Sequence, residues 1–173
     1  AAPDITFTDA LSLHWGGPEV ILEYHPGPAP GAIWVVIPQA GVVFCGDAVV
    51  INQPPFLAHA DLEAWLQNLD LLQNQYSGHL LVSGRGGLAT AEHVQLQQKV
   101  LQRVLAAFES INRKNASPET LARLATDLLS NYNFPPEMYE TYLQRLRTGL
   151  QQCFNRRYRS SAANGKVEMD SEE

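Results

Sequence analysis

Gly46-Asp47 closes the apolar run Ala40-Gly41-Val42-Val43-Phe44-Cys45 and places a carboxylate where chemistry could be done. A glycine lets the backbone turn at the end of a buried strand, and the aspartate it frees suits a metal ligand or a catalytic carboxylate. The same position also suits a plainer role, capping a turn or bonding to local backbone. A catalytic zinc needs about three protein ligands. The histidines here, His14, His25, His59, His79 and His93, include no His-x-His or His-x-x-x-His pair. A Ser83, His25, Asp47 trio can be drawn, but no Gly-x-Ser-x-Gly elbow accompanies it. The residues alone therefore assign no catalytic group.

The elements that must position Asp47 are legible as patterns. Strand signals cover approximately 5–7, 11–15, 18–25, 32–38, 42–46 and 79–82, with turns at Gly16-Gly17-Pro18 and Pro38-Gln39-Ala40-Gly41. Pro54-Pro55 precedes a helix over 61–73. Thr90 is placed to cap a long helix reaching about Ile111, with Val94, Leu101, Val104, Leu105, Phe108 and Ile111 on one face. After the linker Lys114-Asn115-Ala116, Ser117-Pro118-Glu119 starts another helix: Ser caps, Pro takes the first position and an acid sits in the first turn. A last helix runs from near Glu137 to Arg157.

Four landmarks in order give these elements a family likeness. They are Pro18-Glu19-Val20-Ile21-Leu22-Glu23-Tyr24-His25, then Pro26-Gly27-Pro28-Ala29-Pro30-Gly31 leading into Ala32-Ile33-Trp34-Val35-Val36-Ile37-Pro38, then Gly46-Asp47, and last His79-Leu80-Leu81-Val82-Ser83-Gly84-Arg85-Gly86. With the helix at Ala60-Asp61-Leu62-Glu63-Ala64-Trp65-Leu66, the stretch from Thr6 to about Leu105 resembles the second half of a metallo-β-lactamase-superfamily hydrolase. The resemblance implies an α/β fold: half of an αβ/βα sandwich, a mixed, mostly antiparallel sheet with helices on one face, followed by a C-terminal helical extension. It divides the chain into a half-domain over 1–112, a helical extension over 113–159 and a disordered acidic tail over 160–173.

Members of that family hold zinc or iron with a His-x-His-x-Asp-His loop in the first half and a histidine, an aspartate and a histidine in the second. The metal lowers the pKa of its bound water toward neutrality and so makes the nucleophile. The resemblance puts the second-half positions at Pro28, Asp47 and Arg85. Only Asp47 keeps a ligand type. Proline offers no side-chain donor atom, and arginine carries a permanent positive charge. Two roles fit Arg85: an ion pair that fills the space a metal would leave, or a solvent-facing side chain in a glycine-rich loop. The expectation is a metal-free, non-catalytic half-domain without cofactor, acting through dimerisation or binding.

Two alternatives stand beside it. The chain could be the C-terminal part of a metal-dependent hydrolase of esters, thioesters, lactams or phosphodiesters, with its zinc or iron ligands supplied from outside this stretch. It could also be a module whose C-terminal helices bind a partner protein. Half of a two-sheet sandwich leaves an apolar sheet face uncovered, drawn from Val20, Leu22, Tyr24, Ile33, Val35, Ile37, Val43 and Leu81. A homodimer through that face is the expected assembly.

Composition agrees with a globular chain. Hydrophobic residues make up 45% of its 173 positions, enough to build a core. No run approaches the roughly 18 apolar residues of a membrane span, and the cytoplasm is the expected location. Cys45 and Cys153 lack the spacing of a zinc ribbon or a redox pair. The last fourteen residues carry four acids and one lysine, half of the net charge of −6. Tyr132, Phe134, Tyr139, Tyr142 and Phe154 are expected in the core. Arg145, Arg147, Arg156, Arg157 and Arg159 are expected on a solvated face, with no nucleic-acid or membrane partner.

Overall fold

The structure, a computed structural model, describes residues 3–114 and 118–158. The expected tail over 160–173, Ser117 and Arg159 lie outside the described residues. Among the described residues, six strands form one mixed sheet in sequence order: β1 Ala10–Leu13, β2 Val20–Tyr24, β3 Ile33–Ile37, β4 Val42–Val50, β5 Leu80–Arg85 and β6 Leu88–Ala89. Neighbours pair antiparallel except β4 and β5, which are parallel. A parallel pair requires a crossover, and helix α1, Leu62–Gln75, supplies it. Helices α2 Ala91–Lys114, α3 Pro118–Leu129 and α4 Tyr139–Tyr158 follow.

The chain divides into two compact units. One comprises the residues up to Ile51 with Asp61–Lys99, and holds the sheet, α1 and the first turns of α2. The other comprises Asn52–Ala60 with the residues from Val100 onward.

In the first unit, strand register explains which face is covered. Cross-strand partners Ser12, Ile21, Val36, Val43, Leu81 and Ala89 form one row across all six strands. Its central members are sealed: Val36 is 3% exposed and Val43 is 0%. On α1, Leu62, Trp65, Leu69 and Leu72 recur at helical spacing and are buried. Trp65 donates its indole N–H to the Ala48 carbonyl at 2.8 Å, so the ring is buried without an orphaned donor. Asp61 caps α1 by accepting from the Ala64 amide at 3.0 Å. Gln98 of α2 donates to Asp70 of α1 at 2.6 Å.

The adjacent row, Leu11, Leu22, Val35, Phe44, Val82 and Leu88, points to the opposite face, because successive side chains alternate. Tyr24, Ile33, Phe44, Leu80 and Leu88 remain exposed. Of the residues expected on an uncovered face, Val43 and Leu81 instead belong to the covered one, and Val20 is buried. For Val43 and Leu81 the odd-even position along the strand decides this.

In the second unit, Val104, Phe108 and Ile111 of α2 are buried, as are Leu124, Leu128 and Leu129 of α3 and Leu146, Leu150 and Phe154 of α4. Phe108 meets Phe154 edge-on at 5.3 Å. Tyr142 and Phe154 are buried as the sequence suggests, whereas Tyr139 is exposed because it opens α4.

The expected strand at 5–7 does not form. Ile5 is exposed and no described strand pairs with that segment, so its backbone has no ladder to join. In its place β6 appears, two residues too short to leave a pattern.

Among the described residues, Gln73, His79, Gln97 and Tyr132 each hold a buried side-chain polar atom without a partner, and the last two bear most on stability. Gln97 is 1% exposed with both amide atoms unbonded, and the Tyr132 hydroxyl is likewise buried and unbonded. Burial also pushes the Tyr132 phenol well above its ordinary titration range. An unsatisfied buried group costs roughly 1–3 kcal/mol. Tyr132→Phe and Gln97→Met should therefore each stabilise the fold by about 1 kcal/mol in urea titrations. A loss of that size from either variant would mean that a hydrogen-bond partner has been removed.

Candidate functional site

Asp47 stands in β4 where the strand breaks register against β5, with shifts on either side of Gly46. Gly46 takes φ +56°, a left-handed conformation that glycine adopts without steric cost. The bulge aims the Asp47 carboxylate toward the end of β5. There the Arg85 Nε lies 3.4 Å from Asp47 Oδ1, with both side chains partly exposed. Of the two roles open to Arg85, the structure takes the ion pair.

Local bonding fixes the arginine's backbone. The Arg85 amide donates to Ser83 Oγ at 3.0 Å, and the Ser83 hydroxyl donates to the Arg85 carbonyl at 2.6 Å. The Ile51 amide donates to that same carbonyl at 3.1 Å. Gly84 leaves room for the pair, since a Cβ there would stand 2.7 Å from Asp47 Oδ1 and 2.9 Å from the Gly46 carbonyl carbon.

Pro28 sits in the loop between β2 and β3, and the neighbouring residues anchor that loop. The Asp61 amide donates to the Gly27 carbonyl at 2.8 Å, and a Cβ on Gly27 would stand 2.8 Å from the Trp65 backbone. At the loop entry, the His25 ring stacks on Trp34 at 3.7 Å. Its Nδ1 meets Asn68 Oδ1 at 2.9 Å and its Nε2 meets Glu23 Oε2 at 3.0 Å. Asn68 in turn donates to the Pro26 carbonyl at 2.6 Å, and the Tyr76 hydroxyl donates to Glu23 Oε2 at 2.7 Å. Burial, reinforced by the Glu23 carboxylate, pushes the Tyr76 phenol far above its ordinary range, so it stays a donor. Sequence reasoning missed this cluster. The available signal was that Glu23 and His25, two apart along a strand direction, share a side.

The remaining candidates are dispersed. His14 lies 3.6 Å from Glu19, His79 packs against the Tyr76 ring, His93 accepts from the Thr90 amide and His59 is exposed. Ser83, His25 and Asp47 each engage other partners, which leaves no nucleophile–base pair among them. Burial raises the Cys45 thiol to about 11, so it is a thiol and not a thiolate near neutrality.

A scan for family membership matches residues 1–103 to the metallo-beta-lactamase superfamily. The chain belongs to that superfamily. Solved structures share its fold. A metallo-beta-lactamase from Pontibacter korlensis is 23% identical, with a TM-score of 0.53 over 59% of this chain and 50% of that one. A metallo-beta-lactamase family protein from Thermus thermophilus is 20% identical, with a TM-score of 0.59 over 94% of this chain and 51% of that one. A double mutant of a sec-alkyl sulfatase is 16% identical, with a TM-score of 0.62 over 91% of this chain and 27% of that one. This chain therefore spans about half the length of the first two. No curated protein matches it. The likeness to the Thermus protein also takes in helices after residue 103, which the sequence motifs alone left outside the family.

The superfamily implies a metal, and the residues present do not fit one. Among the described residues, no group of three or more histidine, cysteine, aspartate or glutamate side chains could hold an ion. Asp47, which the sequence resemblance puts at a ligand position, has the Arg85 guanidinium 3.4 Å away. A cation brought to this carboxylate would meet the permanent charge of Arg85 beside it.

The exposed pair itself contributes little to stability, as such pairs are worth about 0–1 kcal/mol. Arg85→Met should therefore cost less than about 1 kcal/mol in chemical denaturation. Gly84→Ala should cost more, about 2 kcal/mol, because its Cβ meets backbone as well as carboxylate. The reverse ranking would show that the ion pair, not the close approach of β4 and β5, holds this end of the sheet.

Proposed function

We propose that this chain is a metal-independent, non-catalytic member of the superfamily that works by packing its uncovered sheet face against a second copy of itself. The observation that carries this reading is the apolar row Leu11, Leu22, Val35, Phe44, Val82, Leu88, which crosses all six strands without a charged residue. Six strands about 4.8 Å apart and about five residues long give a footprint of roughly 400 Å². Monomers rarely expose a contiguous apolar patch beyond a few hundred Å². A face without charge carries little that selects a foreign partner, and a two-fold axis makes it complementary to itself. The Asp47–Arg85 pair supports the metal-independent part of the reading.

Half-length coverage of the matched structures favours a second reading. In it the chain is one part of a metal-dependent hydrolase, and the missing ligands and second sheet come from another segment.

Light scattering separates the two. The first reading expects twice the monomer mass of 19.1 kDa, and a return to monomer when Val35→Glu and Phe44→Glu are combined. A wild-type chain that stays monomeric and binds a dye for exposed apolar surface would sink the self-pairing proposal in favour of the second.

A further inference from the structure

We propose that the second unit holds a binding site for a small organic carboxylate with an apolar body, seated against Arg145. A cavity of about 370 Å³ opens between the segment Phe56–Ala58 and α4. That volume falls in the range of small-molecule sites, roughly 300–1,000 Å³. Phe56, Leu57 and Ala58 make one wall, and Thr141, Arg145 and Thr148 stand on the other. Gly149 lets the helix approach closely, since a Cβ there would come within 3.3 Å of Leu57 Cβ.

Among the described residues, Arg145 is the only charged one lining the cavity. Its guanidinium carbon lies 4.3 Å from the Phe56 ring centroid and 4.9 Å from that of Tyr142. Nη1 donates to Gln53 Oε1 at 3.4 Å. Among the described residues, no carboxylate pairs with it. A guanidinium carries five N–H donors in one plane, and stacking on rings holds that plane still. One donor meets a neutral amide here, and no described carboxylate compensates the charge. A carboxylate would meet the remaining donors in a charge-assisted, forked contact. The apolar wall opposite favours a hydrocarbon or aromatic body over a bare inorganic anion.

Arg145 was expected on a solvated face together with Arg156; Arg145 is half-buried against two rings, and Arg156, though exposed, bonds to backbone carbonyls. Arg156 donates through Nη2 to the Ala60 carbonyl at 2.9 Å and also bonds to the Ala58 carbonyl. The Ala58–Ala60 side of the wall is thereby tied to α4 whether or not the cavity is filled.

The test uses phenylacetate and its neutral analogue phenylacetamide, with thermal shift and amide NMR on the whole chain. Millimolar phenylacetate should raise Tm and move the Thr148 and Gly149 amide signals, while phenylacetamide should bind about tenfold more weakly for want of the charge. Arg145→Met should remove the preference for the carboxylate. Should that variant fail to fold through loss of ring contacts, Thr148→Phe tests the same site by filling the cavity with Arg145 intact, and should abolish binding. Equal binding of the two probes, no binding of either, or binding that survives Thr148→Phe would each overturn the proposal. Inorganic phosphate that binds as tightly as phenylacetate would overturn the apolar body.

Discussion

The sheet's alternation is the constraint on which the first unit depends. Its strands are apolar on both sides, and α1 with the first turns of α2 can cover only one. Trp65 shows how completely the covered side is sealed, fully buried with its one polar atom bonded to the Ala48 carbonyl. A single-layer sheet with an apolar opposite face is a half-finished sandwich in physical terms. Shifting any strand by one residue would exchange the two faces, so the register that buries Val36 and Val43 also exposes Ile33 and Phe44.

The end of β4 shows the same economy of local causes. A left-handed glycine bends the strand, a side-chain-free Gly84 lets β5 come close, and Asp47 then finds Arg85. This arrangement puts a fixed positive charge against the Asp47 carboxylate. The loop carrying Pro28 is held independently, through Gly27 on Trp65 and through the His25, Asn68 and Pro26 bonds.

Much of this was legible in the sequence. The Gly-Asp step and the order of four landmarks pointed to the family, and periodicity placed the long helices. What was not legible depended on contacts between distant residues. Glu23 and Tyr76 are joined by a hydrogen bond across 53 positions, and no local pattern announces it. The side of the sheet taken by Val43 and Leu81 follows from pairing register, which a list of apolar residues does not contain. Arg147 and Arg156 of α4 are exposed as expected, but helical spacing says nothing of the segment Gln53–Ala60, whose Gln53 and Ala60 bond to Arg145 and Arg156.

Calorimetric titration of the chelator-treated chain with zinc tests the central claim most directly. The Asp47–Arg85 pair predicts no stoichiometric binding, and no change when Asp47 becomes Asn. Tight, stoichiometric zinc binding that disappears in Asp47→Asn would contradict it, and would make this carboxylate a metal ligand.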